Sequence, residues 1–199
     1  GADGNPTMSG ISFDSRNVDF LKYSGTLIPT DKGSLSNSFT YKGLSLGVVF
    51  TYSYGNVVRL SKIINAYVTE YGSAPREVNN RWLKEGDEKI TNMPRTFTSY
   101  MLEQYQRDPL VRAYSTYDYT DIRIAKGDNI RLKEISIGYT FDKDFLKRNH
   151  LRQLSIKVQG TNLALLYADK KLNGDDPDYL ATGTPIQPKR LIFTLRVGL

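Results

Sequence analysis

The sequence has no cysteine, and only one histidine and one tryptophan in 199 residues. Without cysteine there is no disulfide framework, no thiolate catalysis and no cysteine-ligated zinc. His150 falls in a polar turn away from the acidic loop, so a catalytic triad or a histidine-bearing metal site lacks parts. No apolar run reaches the roughly 18 residues of a membrane-crossing helix, and mean hydropathy is -0.44. Such values fit an ordinary soluble domain, but hydropathy averages miss strands whose two faces alternate between lipid and a wet lumen. The net charge of +6 is spread over turns, loops and strands. With no dense basic block there is no nucleic-acid module, and nothing calls for a cofactor. The opening Gly1-Ala2-Asp3-Gly4-Asn5-Pro6 lacks the regions of a signal peptide and reads as a loop, as if the chain began within a larger protein.

What is abundant is aromatic side chains, with 14 Tyr and 8 Phe, set on alternating segments. After residues 1–33, read as loop or the end of a preceding strand, residues 34–54 read as a hairpin. Leu35, Phe39 and Tyr41 alternate with Ser34, Ser36, Ser38 and Thr40. Lys42-Gly43 turns the chain. Leu44, Leu46, Val48, Phe50, Tyr52 and Tyr54 then alternate with Ser45, Gly47, Val49, Thr51 and Ser53. Residues 55–127 lose the alternation and read as a long extracellular loop, with short helices expected over Val57 to Tyr71 and Phe97 to Gln106.

A second hairpin is expected over 128–167. Ile135, Ile137, Tyr139 and Phe141 share one face, with Arg131 and Lys133 toward its loop end. Asp142 to Leu151 is a polar turn. Leu154, Ile156 and Val158 follow, and the apolar parity then passes to Leu163, Leu165 and Tyr167, which requires a bulge, best placed at Gly160. A second extracellular loop spans 168–187. The strand 188–199 sets Leu191, Phe193, Leu195, Val197 and Leu199 against Ile192, Thr194, Arg196 and Gly198.

Alternation alone fits a soluble or surface-attached β-sandwich that binds carbohydrate or protein. The aromatic positions favour an antiparallel transmembrane β-barrel. With the short turns periplasmic, Phe39, Tyr41, Tyr139 and Phe141 fall at one end of the apolar faces and Tyr52, Tyr54 and Tyr167 at the other, as two interface girdles. Arg131 and Lys133 would then sit at the outer headgroup level, or are ordinary solvated strand ends.

Several segments carry a family resemblance. Asn37-Ser38-Phe39-Thr40-Tyr41-Lys42-Gly43-Leu44-Ser45-Leu46 with Phe50-Thr51-Tyr52-Ser53-Tyr54-Gly55 resembles the C-terminal hairpin of SusC/RagA-like TonB-dependent transporters. Asn80-Arg81-Trp82 with Glu85-Gly86-Asp87-Glu88 and Thr91-Asn92-Met93-Pro94-Arg95 is similar to a loop of that family. Lys126-Gly127-Asp128-Asn129-Ile130-Arg131-Leu132-Lys133-Glu134-Ile135 with Gly138-Tyr139-Thr140 resembles one of its strands. Gln159-Gly160-Thr161-Asn162-Leu163 and Asp176-Pro177-Asp178 resemble two further segments. Order and spacing over about residues 30–199 carry the match, and Leu199 departs from the terminal Phe usual in such barrels.

The resemblance implies the last five or so strands of a 22-stranded barrel with a plugged lumen, in the outer membrane of a Bacteroidetes-like Gram-negative bacterium. It implies import of oligosaccharides or peptides, a SusD-like surface lipoprotein as partner, the TonB complex reached through an N-terminal region absent here, and contact with outer-membrane lipid. A β-barrel phospholipase would need a nucleophile and base near the membrane, and no such pair is present.

Candidate site residues follow from position. Trp82, Tyr100, Tyr105, Tyr114, Tyr117 and Tyr119 in the long loop either contact substrate or a partner, or pack the loop against itself. Lys157 and Arg196 face the lumen, lining the transport path or pairing with plug carboxylates. Asp175, Asp176 and Asp178 offer oxygens to calcium without the spacing of an EF-hand loop. They read otherwise as a solvated acidic turn.

Overall fold

The computed structural model describes residues 20–63, 76–96 and 116–199. It is all-β in its main element, a five-stranded antiparallel sheet ordered β1-β2-β5-β6-β7. The strands are β1 (Asp31–Tyr41), β2 (Leu44–Tyr54), β5 (Asn129–Thr140), β6 (Gln153–Ala168) and β7 (Arg190–Gly198). Two short strands, β3 (Val57–Arg59) and β4 (Ile124–Lys126), pair separately. Val57 to Tyr71 was expected to be helical, but Val57–Arg59 is strand. The rest of that stretch from residue 64, and all of Phe97 to Gln106, lies outside the described residues. Among the described residues no helix is long and apolar enough to cross a membrane.

The chain divides into two compact units, Gly1–Gly25 with Arg59–Ala125 and Thr26–Val58 with Lys126–Leu199. In the first, Ile63, Met93 and Tyr117 form a small core with Val78 against it. Arg123 is buried there, paired with Glu77 and donating to the Ser61 carbonyl at 2.6 Å. Asp118, also buried, accepts from the Ile63 N–H at 3.1 Å. Lone charges in such a place would cost several kcal/mol of desolvation, so each is met by an opposite charge or a backbone partner.

The second unit is the sheet. Its first hairpin closes through Lys42 and Gly43, with φ of 46° and 83°. Two successive positive φ values make the turn whose twist matches that of the strands. A Cβ on Gly43 would lie 2.4 Å from the Thr140 carbonyl oxygen. The Gly43 carbonyl also accepts from the Thr140 N–H at 2.8 Å, tying the turn to β5. The β5–β6 connection holds helix α1 (Lys143–Arg148), capped by the Asp142 side chain, which accepts from the Phe145 N–H.

Register fixes the two faces, because residues paired across antiparallel strands point to the same side. One row runs Tyr41–Leu44–Tyr139–Ile156–Leu195, and the next runs Phe39–Leu46–Ile137–Val158–Phe193. The following rows are Asn37–Val48–Ile135–Gly160–Leu191, then Leu35–Phe50–Leu132–Ala164, then Gly33–Tyr52–Ile130–Tyr167. The Tyr52 ring lies on Gly33, where a Cβ would come within 2.5 Å of its hydroxyl. The opposite face carries Ser34, Ser36, Ser38 and Thr40 beside Ser45, Ser136, Ser155, Lys157, Thr194 and Arg196.

Two irregularities change the expected parity. Pairing shifts between Leu132 and Glu134, leaving Lys133 bulged opposite Asn162 and Leu163, and again between Ile130 and Arg131, leaving Leu166 bulged. The positive φ belongs to Asn162, at 56°, and Gly160 stays in regular register between Ile135 and Leu191. Asn tolerates this left-handed conformation because its short side chain bonds locally. Ala164 therefore takes the apolar face that Leu163 and Leu165 were expected to share, and Leu165 joins the polar face opposite Arg131. Tyr167 keeps its expected place.

Gly43→Val adds a side chain where φ is positive and the Thr140 carbonyl stands in the way, so it should destabilise the sheet by about 1–3 kcal/mol. Thermal unfolding of the intact protein, compared with Lys42→Asn in the same turn, measures the difference.

Candidate functional site

At the end of the sheet away from the two tight connections, the polar face meets the segment between β6 and β7. That segment has a compact fold of its own. Asp169 caps the turn Lys170–Leu172 by accepting from the Lys171 N–H, and also accepts from the Lys126 N–H at 2.9 Å. Those backbone bonds hold its carboxyl below the usual range, against the opposing effect of burial. Helix α2 (Pro177–Thr182) follows, with Asp176 as its cap, Pro177 at its first turn and Gly183 closing it at φ 67°. Leu172 and Pro177 are fully buried.

The segment is fastened to β5 by charge. Arg131 donates one guanidinium N–H to Asp176 Oδ2 at 2.6 Å and a second to its Oδ1, and reaches Asp178 Oδ2 at 3.0 Å. Such a two-pronged geometry matches the guanidinium fork to the carboxylate. Asp176 side-chain exposure is 8% and that of Arg131 is 17%, so the pair is shielded from water and salt. Burial pushes the Asp176 carboxyl up, but the Arg131 bonds and charge and the Asp178 and Tyr179 N–H groups outweigh it and hold the carboxyl below its usual range.

This arrangement revises two expectations. Arg131 does not sit on the apolar face at a headgroup level, because the bulge at Lys133 turns it to the polar side. Asp176 gives both carboxylate oxygens to Arg131 and one of them also to the Asp178 N–H. Asp178 shares the same guanidinium. The acidic turn, expected to be solvated, thus holds a side-chain cation.

Between the segment and the strands lies a cleft of about 750 Å³ whose lining includes Lys133, Asn162, Leu165, Tyr179, Gln187 and Lys189. Lys133 Nζ donates to Asn162 Oδ1 at 2.6 Å, and Asn162 Nδ2 is 3.4 Å from Gln187 Oε1 and the Pro188 carbonyl. A smaller cleft, lined by Lys32, Ser34, Thr51, Ser53 and Asn129 among others, meets the first at Arg131 and Asp178. Lys133, expected on the apolar face toward its loop end, leaves that face at the bulge, while Asn162 and Tyr179 were not candidate site residues in the sequence. The signal available was the pattern Asp176-Pro177 with Gly183 beyond it, which marks a capped helix start and stop.

Lys157 and Arg196 both project from the polar face, exposed, at diagonal positions across β6 and β7. The aromatic residues gather at the two ends of the apolar face. Tyr139 stacks edge-on with Phe141 at 5.0 Å, and Phe141 lies 4.7 Å from Phe145, near exposed Phe39 and Tyr41 of the same end rows. At the other end Tyr52 and Tyr54 lie 5.8 Å apart, with Tyr167 in the Tyr52 row.

In the first unit the loop aromatics divide. Tyr117 is core, its hydroxyl 3.9 Å from Met93 Sδ, and burial pushes its phenol up. Trp82 is half-buried, with its backbone N–H on the Met93 carbonyl. Tyr119 is exposed, flanked by Arg59 and Lys62 at 5.8 and 5.3 Å from its ring. Tyr100, Tyr105 and Tyr114 lie outside the described residues.

Arg131→Met should free the β6–β7 segment at a cost of about 1.5–3 kcal/mol, raising hydrogen exchange in 170–183 while the strands stay protected. Because the Asp176 carboxyl is held low in the folded chain, its contribution is complete above the unfolded value of about 3.9. It is lost as pH falls through the lower folded value. Protection factors in 170–183, which divide out the intrinsic pH dependence of exchange, should therefore fall in acid in the parent protein and stay level over the same range in Asp176→Asn.

No family model matches the chain. It is 26% identical over 163 residues to TonB-dependent receptor P39 of Formosa agariphila, a match covering 78% of this chain and 14% of that protein. The structure of the RagAB peptide transporter superposes with a TM-score of 0.53 at 18% identity, covering 78% of this chain and 15% of the other. The RagAB peptide importer in its open-open state gives 0.57 at 16% identity, covering 89% and 18%. These are receptors and transporters by name, and the chain spans under a fifth of the length of each. With its family motifs lying on β1, β2, β5 and β6 of a sheet whose fold those transporters share, the chain resembles a SusC/RagA-like segment of a TonB-dependent receptor.

Proposed function

We propose that the chain forms the last five strands of a 22-stranded, plugged barrel in the outer membrane of a Bacteroidetes-like bacterium. The barrel imports oligosaccharides or peptides, is driven by the TonB complex through an N-terminal region, and works beneath a SusD-like lipoprotein that closes over its loops. The observation that carries this reading is the two-sided sheet. Its apolar side keeps Leu35 67%, Phe193 71% and Leu195 64% exposed, and aromatic rows bound it at both ends. From Tyr41 to Gly33 the band measures about 26 Å along β1 at about 3.3 Å per residue. Tilted by roughly 40°, that gives about 20 Å of height, near the apolar belt of outer-membrane barrels.

A β-sandwich would need a second sheet packed on those side chains. Among the described residues the only other sheet is the ribbon of β3 and β4, which has too few residues to cover them. In the barrel reading the opposite face, with its serines and with Lys157 and Arg196, lines the lumen. Lipid and water then take the places of the missing protein layers, and the rest of the barrel pairs the open edges of β1 and β7.

The intact receptor should fractionate with the outer membrane, require detergent for extraction and be needed for growth on one class of oligomer. Recovery in the soluble fraction would sink the reading. In the lipid-reconstituted protein, Ile135→Arg at the middle of the apolar band should destabilise by about 2–4 kcal/mol. Ser136→Arg, on the other face, should change stability by less than about 1 kcal/mol. Equal effects in a denaturant titration would mean that both faces meet the same medium.

A further inference from the structure

The strands carry more positive than negative charge on the polar face. Lys32, Arg131, Lys157, Arg190 and Arg196 stand there against Glu134. Arg131 is already satisfied by Asp176 and Asp178. In the cleft of about 750 Å³ those two acids are the only carboxylates of the lining, so Lys133 and Lys189 are left as cations without a carboxylate partner among the described residues. Both are exposed, and Arg190 follows directly at the start of β7.

The cleft is also built. The bulges on β5 and β6 face each other, and together they swing Lys133 out of the strand and bring the Asn162 amide to its ammonium. Bulges of this kind re-aim a side chain, and they are over-represented beside binding sites. The far wall is held by the Arg131 brace, so the distance between Lys133 and α2 does not depend on a flexible loop. Around the two cations the lining offers Asn162 and Gln187 amides, Thr182 and Thr184 hydroxyls, and apolar surface from Leu163, Leu165, Pro185 and Ile186.

We infer that this cleft is a binding site for an anionic oligomer, whose carboxylates are received by Lys133 and Lys189 and whose neutral parts lie on the amide, hydroxyl and apolar lining. The inference rests on the importer reading for its setting and narrows the cargo to one that carries negative charge. An acidic oligosaccharide and an acidic peptide present the same group to the two amines. Because both cations are exposed, salt screens their attraction to an anion, and binding weakens as ionic strength rises. The diagonal pair of Lys157 and Arg196 places two like charges side by side farther along the same face, an arrangement an anion relieves.

The test uses the full-length receptor in detergent and calorimetric titration with four probes: a trigalacturonate, a glutamate-rich tripeptide, and an uncharged counterpart of each. At least one acidic probe should bind tenfold or more tightly than its neutral counterpart, and should weaken as salt rises from 50 to about 300 mM. The Lys133→Gln, Lys189→Gln double variant should lose that tenfold preference while keeping its heat-modifiable gel mobility and its affinity for neutral probes. Which acidic probe binds identifies the source of the charge. Equal binding of acidic and neutral probes, or an unchanged preference in the double variant, would overturn the assignment. Should the variant fail to fold, Lys133→Arg with Lys189→Arg must retain the preference, and its loss there counts equally against the site. Binding of an acidic probe without uptake by cells would leave the cleft standing and remove the importer reading.

Discussion

An apolar surface as wide as a five-stranded sheet cannot be left in water, and that constraint organises the rest of the chain. At about 25 cal/mol per Å² of apolar surface, rows of Leu, Ile, Val and Phe carried from β1 to β7 represent a large driving force for leaving water. A soluble protein satisfies it with a second layer. Here the second layer is absent among the described residues, and the rows end at both limits in rings that have an apolar body and, in most cases, a polar tip. Tyr41, Tyr52, Tyr139 and Tyr167 occupy end rows. Phe39 stands in the row next to Tyr41, and the remaining positions of the face are mainly aliphatic, with Phe50 and Phe193 among them. In the barrel proposed above, a boundary between two media accounts for this sorting, whereas a packed core has no such axis.

Strict alternation from one end of β5 to the other would violate that constraint. Arg131 and Lys133 share the parity of Ile135, Ile137 and Tyr139, so a regular strand would put two cations among the apolar rows. The bulge at Lys133 removes both at once. It turns Arg131 to the polar face, brings Leu132 and Ile130 into the apolar rows, and leaves Lys133 itself out of the ladder with its ammonium on Asn162. The partner strand must absorb the same irregularity. Asn162, able to take the left-handed conformation, does so with its neighbour Leu163.

Much of this was legible in the residues. Alternation places the five strands, the Lys42-Gly43 turn and the aromatic ends, because a period of two is a local property that survives without knowledge of partners. The bulge was legible as a necessity but not as a location. A change of parity between Val158 and Tyr167 demands an extra residue, yet glycine is only one way to supply it, and the opposite strand decided in favour of Asn162. The brace of Arg131 on Asp176 was hidden for a related reason. It joins positions 131 and 176, and the sequence gives no register for a contact that depends on a face reversal. The helix start at 143 in a stretch read as a turn follows from Asp142 capping Phe145, a local signal overlooked beside the turn reading. In the long loop, residue type could not separate Tyr117, which is core, from Tyr119, which is exposed.

The sidedness of the sheet and the position of the β6–β7 segment are therefore one constraint seen twice. The irregularity that keeps cations out of the apolar rows is also what delivers a guanidinium to the polar face, where Asp176 caps α2 and receives it. Removing the bulge would return Arg131 to the apolar side and leave the Asp176 carboxylate partly buried without its counter-charge, an arrangement that costs more than the loss of either contact alone. The segment over the cleft is consequently set by the apolar-face pattern of β5. A change on the apolar side of this strand should be felt on its other side, through register and without any intervening core.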